Sequence, residues 1–138
     1  MSLEMSIIIP TLNEAMYIEK TLKSIIRQCT SFNFETIVCD GGSKDNTVEI
    51  AHKFAKIVVS PTQGTGTQLD FAANLSKGKI LVFLDADTLL PEGYLQRVYE
   101  AFKKDASLWA CGAPFGYDGR KRIRIRLGGV TSAITEYI

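Results

Sequence analysis

The sequence predicts an α/β fold, with a mainly parallel, twisted sheet and helices on both of its faces. Three observations carry that expectation. Short apolar runs alternate with stretches of helical periodicity along the chain, and helices of about three turns between strands imply right-handed crossovers. Three of the strand-like runs end in polar clusters, at 10–14, 40–45 and 85–88, and in such sheets ligands bind outside the carboxyl ends of strands. Finally, 138 residues with 46% hydrophobic content and nearly balanced charge can bury one ordinary core, so residues 1–138 are expected to form a single domain.

Ser6-Ile7-Ile8-Ile9 is a continuous apolar run stopped by Pro10, which suits a strand buried on both faces. Asn13 is placed to cap a helix starting near Glu14, in which Ile18, Leu22, Ile25 and Ile26 share one face up to Gln28. Glu35-Thr36-Ile37-Val38-Cys39 gives a second strand, ended by Asp40-Gly41-Gly42-Ser43, where paired glycines open backbone geometries closed to other residues. Asn46 with Glu49 reads as a capping box ahead of Val48, Ala51, Phe54 and Ala55, and 56–59 as the third strand. The loop 60–66 leads to a weak helical stripe of Leu69, Ala72 and Ala73 that ends at Gly78. The run 80–84 is the strongest strand. Pro91 suits a first helical position before Leu95, Val98, Tyr99 and Phe102, and Leu108-Trp109-Ala110-Cys111 returns to a strand. The order is βαβαβαβαβ, without an internal repeat.

A formal net charge of +1 gives no electrostatic basis for nucleic-acid binding, which usually shows as a strongly basic domain. Any acidic ligand must be held locally. Cys29, Cys39 and Cys111 are odd in number, widely spaced and free of C-x-x-C pairs, so they read as reduced core residues of a cytoplasmic protein. No apolar run reaches the roughly 18 residues of a membrane span, and the N-terminus lacks a basic start with an apolar signal core. The expectation is a soluble chain, in the cytoplasm or at the inner face of the membrane.

The sharpest chemical feature is Ile80-Leu81-Val82-Phe83-Leu84-Asp85-Ala86-Asp87, an apolar strand that delivers two carboxylates one residue apart. Two such groups repel unless a cation sits beside them, and Mg²⁺ or Mn²⁺ prefers hard oxygen ligands. Magnesium commonly takes one or two carboxylates and completes its shell with substrate phosphates and water, so the pair also implies a diphosphate ligand. The plain alternative is that both acids begin a solvated loop, and Asp40 before Gly41-Gly42 is open to the same reading as a turn former.

Ile8-Ile9-Pro10-Thr11-Leu12-Asn13-Glu14, Val38-Cys39-Asp40-Gly41-Gly42-Ser43-Lys44-Asp45-Asn46-Thr47 and Phe83-Leu84-Asp85-Ala86-Asp87-Thr88 resemble, in order and spacing, the three successive motifs of family 2 glycosyltransferases with the GT-A fold. The resemblance covers most of the chain up to Pro91. It implies transfer of a sugar from a UDP- or GDP-sugar donor with the help of Mg²⁺ or Mn²⁺. By this resemblance Pro10, Thr11 and Glu14 line the base and ribose pocket, and Asp40 binds the nucleobase. Asp85 lies near the ribose and the metal, Asp87 ligates the metal directly, and Ala86 approaches the nucleotide by its backbone. Family members commonly carry a basic residue in the glycine loop around 63–68. Thr65 stands there instead, which leaves Lys79 and Lys44 as substitutes for contact with the diphosphate.

Inverting members use an acidic general base well beyond the acidic pair, in a segment past Ile138. No catalytic base is therefore assigned, and Asp105, at a predicted helix end, reads as solvated; Asp118 and Glu136 are the other downstream acids. The acceptor-binding half is not visible either, so the architecture reads as truncated: either a fragment of a longer protein or a chain completed by a second chain or a second copy. The acceptor is a sugar, a lipid phosphate or a protein. Arg120-Lys121-Arg122-Ile123-Arg124-Ile125-Arg126 is the one basic cluster, suited either to anionic headgroups at a membrane surface or to a solvated edge. His52 reads as surface decoration and Trp109 as core.

Two rival functions remain. A haloacid-dehalogenase-type phosphatase also ends an apolar strand in Asp-x-Asp, but its motif continues differently from Thr88-Leu89 and lies near the chain start. A nucleotide-sugar-binding module without transfer activity is the non-enzymatic alternative. A dinucleotide oxidoreductase fails because no G-x-G-x-x-G follows the first strand.

Overall fold

The computed structural model describes residues 2–108. Its strands are β1 (Met5–Thr11), β2 (Phe34–Asp40), β3 (Lys56–Val59) and β4 (Ile80–Phe83). They alternate with helices α1 (Ile18–Ile26), α2 (Thr47–Ala51), α3 (Thr65–Leu75) and α4 (Tyr94–Lys104). The four strands form one sheet in the order β3-β2-β1-β4, with every pair parallel. The expected α/β architecture is the one observed; the expected fifth strand lies, but for Leu108, outside the described residues. Contacts divide the chain after Tyr99, within α4, into two compact units, and the whole sheet belongs to the first.

Both faces of the sheet centre are buried. Ile8, Ile37 and Cys39 pack with Ala72 of α3, with Val58, Leu69 and Phe71 around them. Ile7, Ile9 and Val38 have the opposite parity along their strands, and they too are fully buried. β4 is less covered than its apolar sequence suggests: Leu81 is 38% and Phe83 53% exposed. It is the edge strand among the described residues, so only one of its sides is paired.

β1 does not stop at Pro10 but runs on to Thr11, with Pro10 in register with Cys39. Strand parity explains the tolerance. Ile8 shares the parity of Pro10, and its carbonyl accepts the last bond from β4, from Leu84 N–H. The missing proline N–H therefore faces the side where β4 has already diverged, and no ladder bond is lost.

The helix starts differ from the sequence reading. α1 begins at Ile18 rather than near Glu14, after a turn in which Glu14 C=O accepts Tyr17 and Ile18 N–H. Asn13 caps no helix: it adopts φ +57°, and its side-chain oxygen accepts Lys44 N–H. The capping box at Asn46 does not form either. Asp45 accepts Thr47 N–H and the Thr47 hydroxyl instead. α4 begins at Tyr94, because Gly93 takes φ +71° and interrupts the helix that Pro91 was expected to open. Cys39 is buried as expected, but Cys29 is exposed, since it lies just past the end of α1.

The glycines provide a test of the packing. A Cβ at Gly78 would lie 2.3 Å from the Met5 carbonyl carbon and 2.4 Å from Ser6 N, whereas one at Gly66, inside α3, would meet nothing within 4 Å. Gly78→Ala is expected to cost about 1–3 kcal/mol through backbone displacement, and Gly66→Ala to add about 0.5–1 kcal/mol through helix propensity. Urea unfolding of the two variants against the parent chain checks both signs.

Candidate functional site

The chain steps from β1 to β2 to β3 in one direction along the sheet and then returns past them to place β4 on the other side of β1. Such a reversal leaves a crevice at the carboxyl ends of the two diverging strands, because their following loops lead to opposite sides. A cleft of about 330 Å³ lies there. It is lined by Pro10, Thr11, Leu12 and Glu14 after β1, by Gly64, Thr65 and Gln68 at the start of α3, and by Asp85, Ala86 and Asp87 after β4. That volume falls at the lower end of the range for small-molecule sites.

The acids of the site fall into two kinds. Asp40 is 2% exposed, and four donors converge on its carboxylate. Oδ1 accepts the Thr11 hydroxyl at 2.9 Å and the Ser43 hydroxyl at 2.5 Å; Oδ2 accepts Gly42 N–H at 2.9 Å and Ser43 N–H at 2.8 Å. Burial alone would raise its pKa, but the bonds from Ser43, Thr11 and Gly42 outweigh it and hold the group below the ordinary carboxylate range. Asp85 and Asp87 are exposed, and among the described residues neither carboxylate has a hydrogen-bond donor. Glu14 is half-buried. Its burial, followed by the negative charges of Asp87, Asp45 and Asp85, pushes its carboxyl above the ordinary value.

Asp85 C=O accepts Thr88 N–H at 3.1 Å, which closes a tight turn with Ala86 and Asp87 at its centre. The two acids thus stand on either side of a single buried alanine, 5% exposed. Among the described residues no three His, Cys, Asp or Glu side chains form a metal cage. A carboxylate pair at this spacing in the sequence would fit a hard cation that takes the rest of its shell from phosphate oxygens and water.

Six of the residues singled out in the sequence, Pro10, Thr11, Glu14, Asp85, Ala86 and Asp87, come together in the cleft, whereas Asp40 is not among its lining residues. Lys79 cannot serve the diphosphate. It sits at the amino end of β4, away from the cleft, with its ammonium 2.9 Å from Glu4 Oε1. Lys44 is exposed on the loop after β2. His52 is exposed, and the Asp105 carboxylate accepts Ser107 N–H and the Ser107 hydroxyl in a turn after α4. Asp118, Glu136, Trp109, Cys111 and the cluster Arg120 to Arg126 lie outside the described residues. Among the described residues no helix is long and apolar enough to cross a membrane.

Several residues that shape the cleft escaped the sequence reading. Gln68 of α3 is 3% exposed. Its amide donates to Thr11 C=O at 2.9 Å and to Cys39 C=O at 2.7 Å, and accepts Gly64 N–H at 3.3 Å. Gly41 makes room for it, since a Cβ there would lie 2.8 Å from Gln68 Oε1. Thr21 of α1 donates to Ala86 C=O at 2.6 Å, Ser24 of α1 accepts Leu90 N–H, and Gln28, just past the end of α1, donates to Pro91 C=O and accepts Leu95 N–H. For Thr21 and Gln68 the signal was present: each is a polar residue on the stripe that its helix buries.

The model of the family described as glycosyl transferase family 2 matches residues 6–134. The chain belongs to glycosyl transferase family 2. It is similar to a PGL/p-HBAD biosynthesis glycosyltransferase of Mycobacterium bovis, 40% identical over 94 residues that cover 63% of this chain and 36% of the relative. It is also similar to the validoxylamine A glucosyltransferase of Streptomyces hygroscopicus, 31% identical over 125 residues, 84% of this chain and 30% of the relative. The chain thus spans about a third of the length of these relatives.

Among solved structures, Staphylococcus aureus TarS aligns with TM-score 0.72 at 25% identity, over 86% of this chain and 23% of that one. The mannosyltransferase PcManGT of Pyrobaculum calidifontis, in complex with GDP-Man and Mn²⁺, aligns with TM-score 0.66 at 25% identity, over 78% and 34%. Glucosyl-3-phosphoglycerate synthase of Mycobacterium tuberculosis, in complex with Mn²⁺, UDP and glucosyl-3-phosphoglycerate, aligns with TM-score 0.57 at 30% identity, over 66% and 36%. The fold is that of the GT-A glycosyltransferases, and family membership sets the phosphatase alternative aside.

The Asp40 cluster carries a pH-dependent prediction. A carboxylate whose folded pKa is depressed contributes its stability in full above the unfolded value, about 4, and loses it as pH falls through the folded value. Asp40→Asn is expected to lower stability at pH 7 by about 1.5–3 kcal/mol, the range for hydrogen bonds to a charged group. The difference from the parent should hold steady down to about pH 5 and narrow below about pH 4, as read by urea unfolding across the pH series.

Proposed function

We propose that this chain is the donor-binding part of a glycosyltransferase that takes a UDP- or GDP-sugar, with Asp85 and Asp87 holding a Mg²⁺ or Mn²⁺ ion against the donor diphosphate. The observation that carries this reading is the meeting of the β1 loop, the start of α3 and the bare Asp85–Asp87 pair in one cleft at the sheet reversal. The complexes of PcManGT with GDP-Man and Mn²⁺ and of glucosyl-3-phosphoglycerate synthase with UDP and Mn²⁺ support it.

In this reading Pro10 and Thr11 form the wall against which the nucleoside rests, and Glu14 closes the ribose side. Asp40 shapes the base side through the loop it organises. A base N–H reaches its carboxylate by displacing the Thr11 or Ser43 hydroxyl, since hydroxyl donors can rotate away while the two backbone donors cannot. Ala86 lies against the nucleotide, its carbonyl being committed to Thr21. Lewis-acid stabilisation of the departing diphosphate is the chemistry that a divalent cation supplies when bound. The chain's own part is to hold two carboxylates, close together and free of other partners, where that charge develops.

Calorimetric titration with UDP and with GDP, each with and without Mn²⁺, tests the reading. Binding that requires Mn²⁺ and favours one base is expected. Removing a residue that merely supports a metal ligand commonly costs 10–100-fold in metal affinity, so Asp87→Asn should weaken Mn²⁺-dependent binding by at least about tenfold with the fold intact. Nucleotide affinity indifferent to Mn²⁺, or to this substitution, would defeat the metal assignment.

A further inference from the structure

We propose that Thr21 is a positioning residue for the acidic pair: from the buried face of α1 it holds the Ala86 carbonyl and so fixes Asp85 and Asp87 at the spacing a shared divalent cation requires. This rests on the reading of Asp85 and Asp87 as metal ligands and adds to it a residue that touches neither the cation nor the donor.

A threonine inside a helix has a default hydrogen-bond partner. Its hydroxyl ordinarily donates back to the carbonyl three or four residues earlier, and it has one proton to give. Thr21, fully buried, donates that proton to Ala86 C=O at 2.6 Å, across 65 positions of sequence. Ala86 stands inside the turn closed by Asp85 C=O and Thr88 N–H, and its own carbonyl lies outside that bond. Without Thr21 it would be a buried acceptor lacking a partner, free to rotate toward water and carry the flanking carboxylates with it.

The same face of α1 holds the rest of the loop. One turn on, the Ser24 hydroxyl accepts Leu90 N–H at 3.0 Å. Just past the end of the helix, Gln28 donates to Pro91 C=O at 2.9 Å and accepts Leu95 N–H at 3.3 Å. The segment from Ala86 to Leu95 is thereby tied to α1 at Thr21 and Ser24 and to Gln28 just past its end, and α1 starts four residues after Glu14 on the opposite wall of the cleft. Of the three attachments, the one at Thr21 falls between the two acids.

The test uses the full chain and three substitutions that grade the donor: Thr21→Ser keeps the hydroxyl, Thr21→Cys leaves a weak donor, and Thr21→Val keeps the shape without a donor. The readouts are the Mn²⁺ concentration giving half-maximal binding of UDP or GDP, whichever binds the parent chain, and the affinity for that nucleotide without Mn²⁺. Loss of a residue supporting a metal ligand should raise the half-saturating Mn²⁺ by about 10–100-fold in Thr21→Val, with Thr21→Cys between it and the parent and Thr21→Ser near the parent. Metal-free affinity should stay within about twofold, since a transmitted structural collapse would move both readouts together. Equal Mn²⁺ requirements in Thr21→Ser and Thr21→Cys overturn the proposal even where Thr21→Val does not fold, and they leave the metal reading standing. A parent chain whose nucleotide binding is indifferent to Mn²⁺ overturns the metal reading itself, and the proposal with it.

Discussion

Parallel strands that end side by side leave backbone carbonyls and amides without ladder partners at one edge, and a cleft can exist there only if those groups are satisfied without filling it. Side chains from the flanking helices and from the end of β2 contribute to that here. Gln68 adds a donor to the carbonyls of Thr11, which also accepts Gly41 N–H, and Cys39, at the ends of β1 and β2. Thr21 takes the carbonyl of Ala86 just beyond β4. Asp40 collects the amides of Gly42 and Ser43 after β2. Each such bond is worth only about 1 kcal/mol net, but an abandoned buried partner costs about 1–3 kcal/mol, so the set is held in place by what its loss would expose.

The same accounting separates the acids. A carboxylate surrounded by donors has its charge already compensated, and Asp40, with both oxygens engaged, is of that kind. Asp85 and Asp87 present uncompensated charge to solvent at the same edge, beside Glu14, whose carboxyl is disfavoured as an anion by burial and then by these neighbours. The cleft holds acids of one sign, with no basic side chain among the described residues that line it. On the proposed reading, a cation brought in together with an anionic diphosphate would relieve that repulsion and gain ligands for itself, which neither partner achieves alone.

The strands were legible in the sequence because each is a short apolar run bounded by turn residues, and 35–39, 56–59 and 80–84 coincide with β2, β3 and β4 to within a residue or two, although β3 and β4 are only partly buried. The helix starts were not. Asn13 has the chemistry of an N-cap, but its side chain is claimed by Lys44 N–H across a neighbouring loop, and no local pattern records a partner 31 residues away. Asp85, Ala86 and Asp87 were readable as a unit because their chemistry is continuous in sequence. Gln68 and Thr21 were not, because a search for apolar periodicity passes over the polar residues on the same stripe. A buried Gln or Thr on an otherwise apolar helix face is a question about which backbone group it serves, and in this fold both answers lie at the cleft.

The two walls of the cleft are consequently not independent. α1 follows directly from the loop that carries Glu14 and also suspends the loop that carries Asp85 and Asp87, through Thr21, Ser24 and, just past its end, Gln28. α3 ties the end of β1 to the end of β2 and, through Gly64 N–H, to its own first turn. Each helix thus bridges two of the segments that line or underlie the site, and β1 with its following loop is common to both bridges. Substitutions within one bridge share partners and should couple energetically, whereas substitutions in different bridges should add. A ligand spanning the cleft from Thr11 to Asp87 loads both bridges at once, which makes β1 the element whose position fixes the distance between the two ends of the cleft.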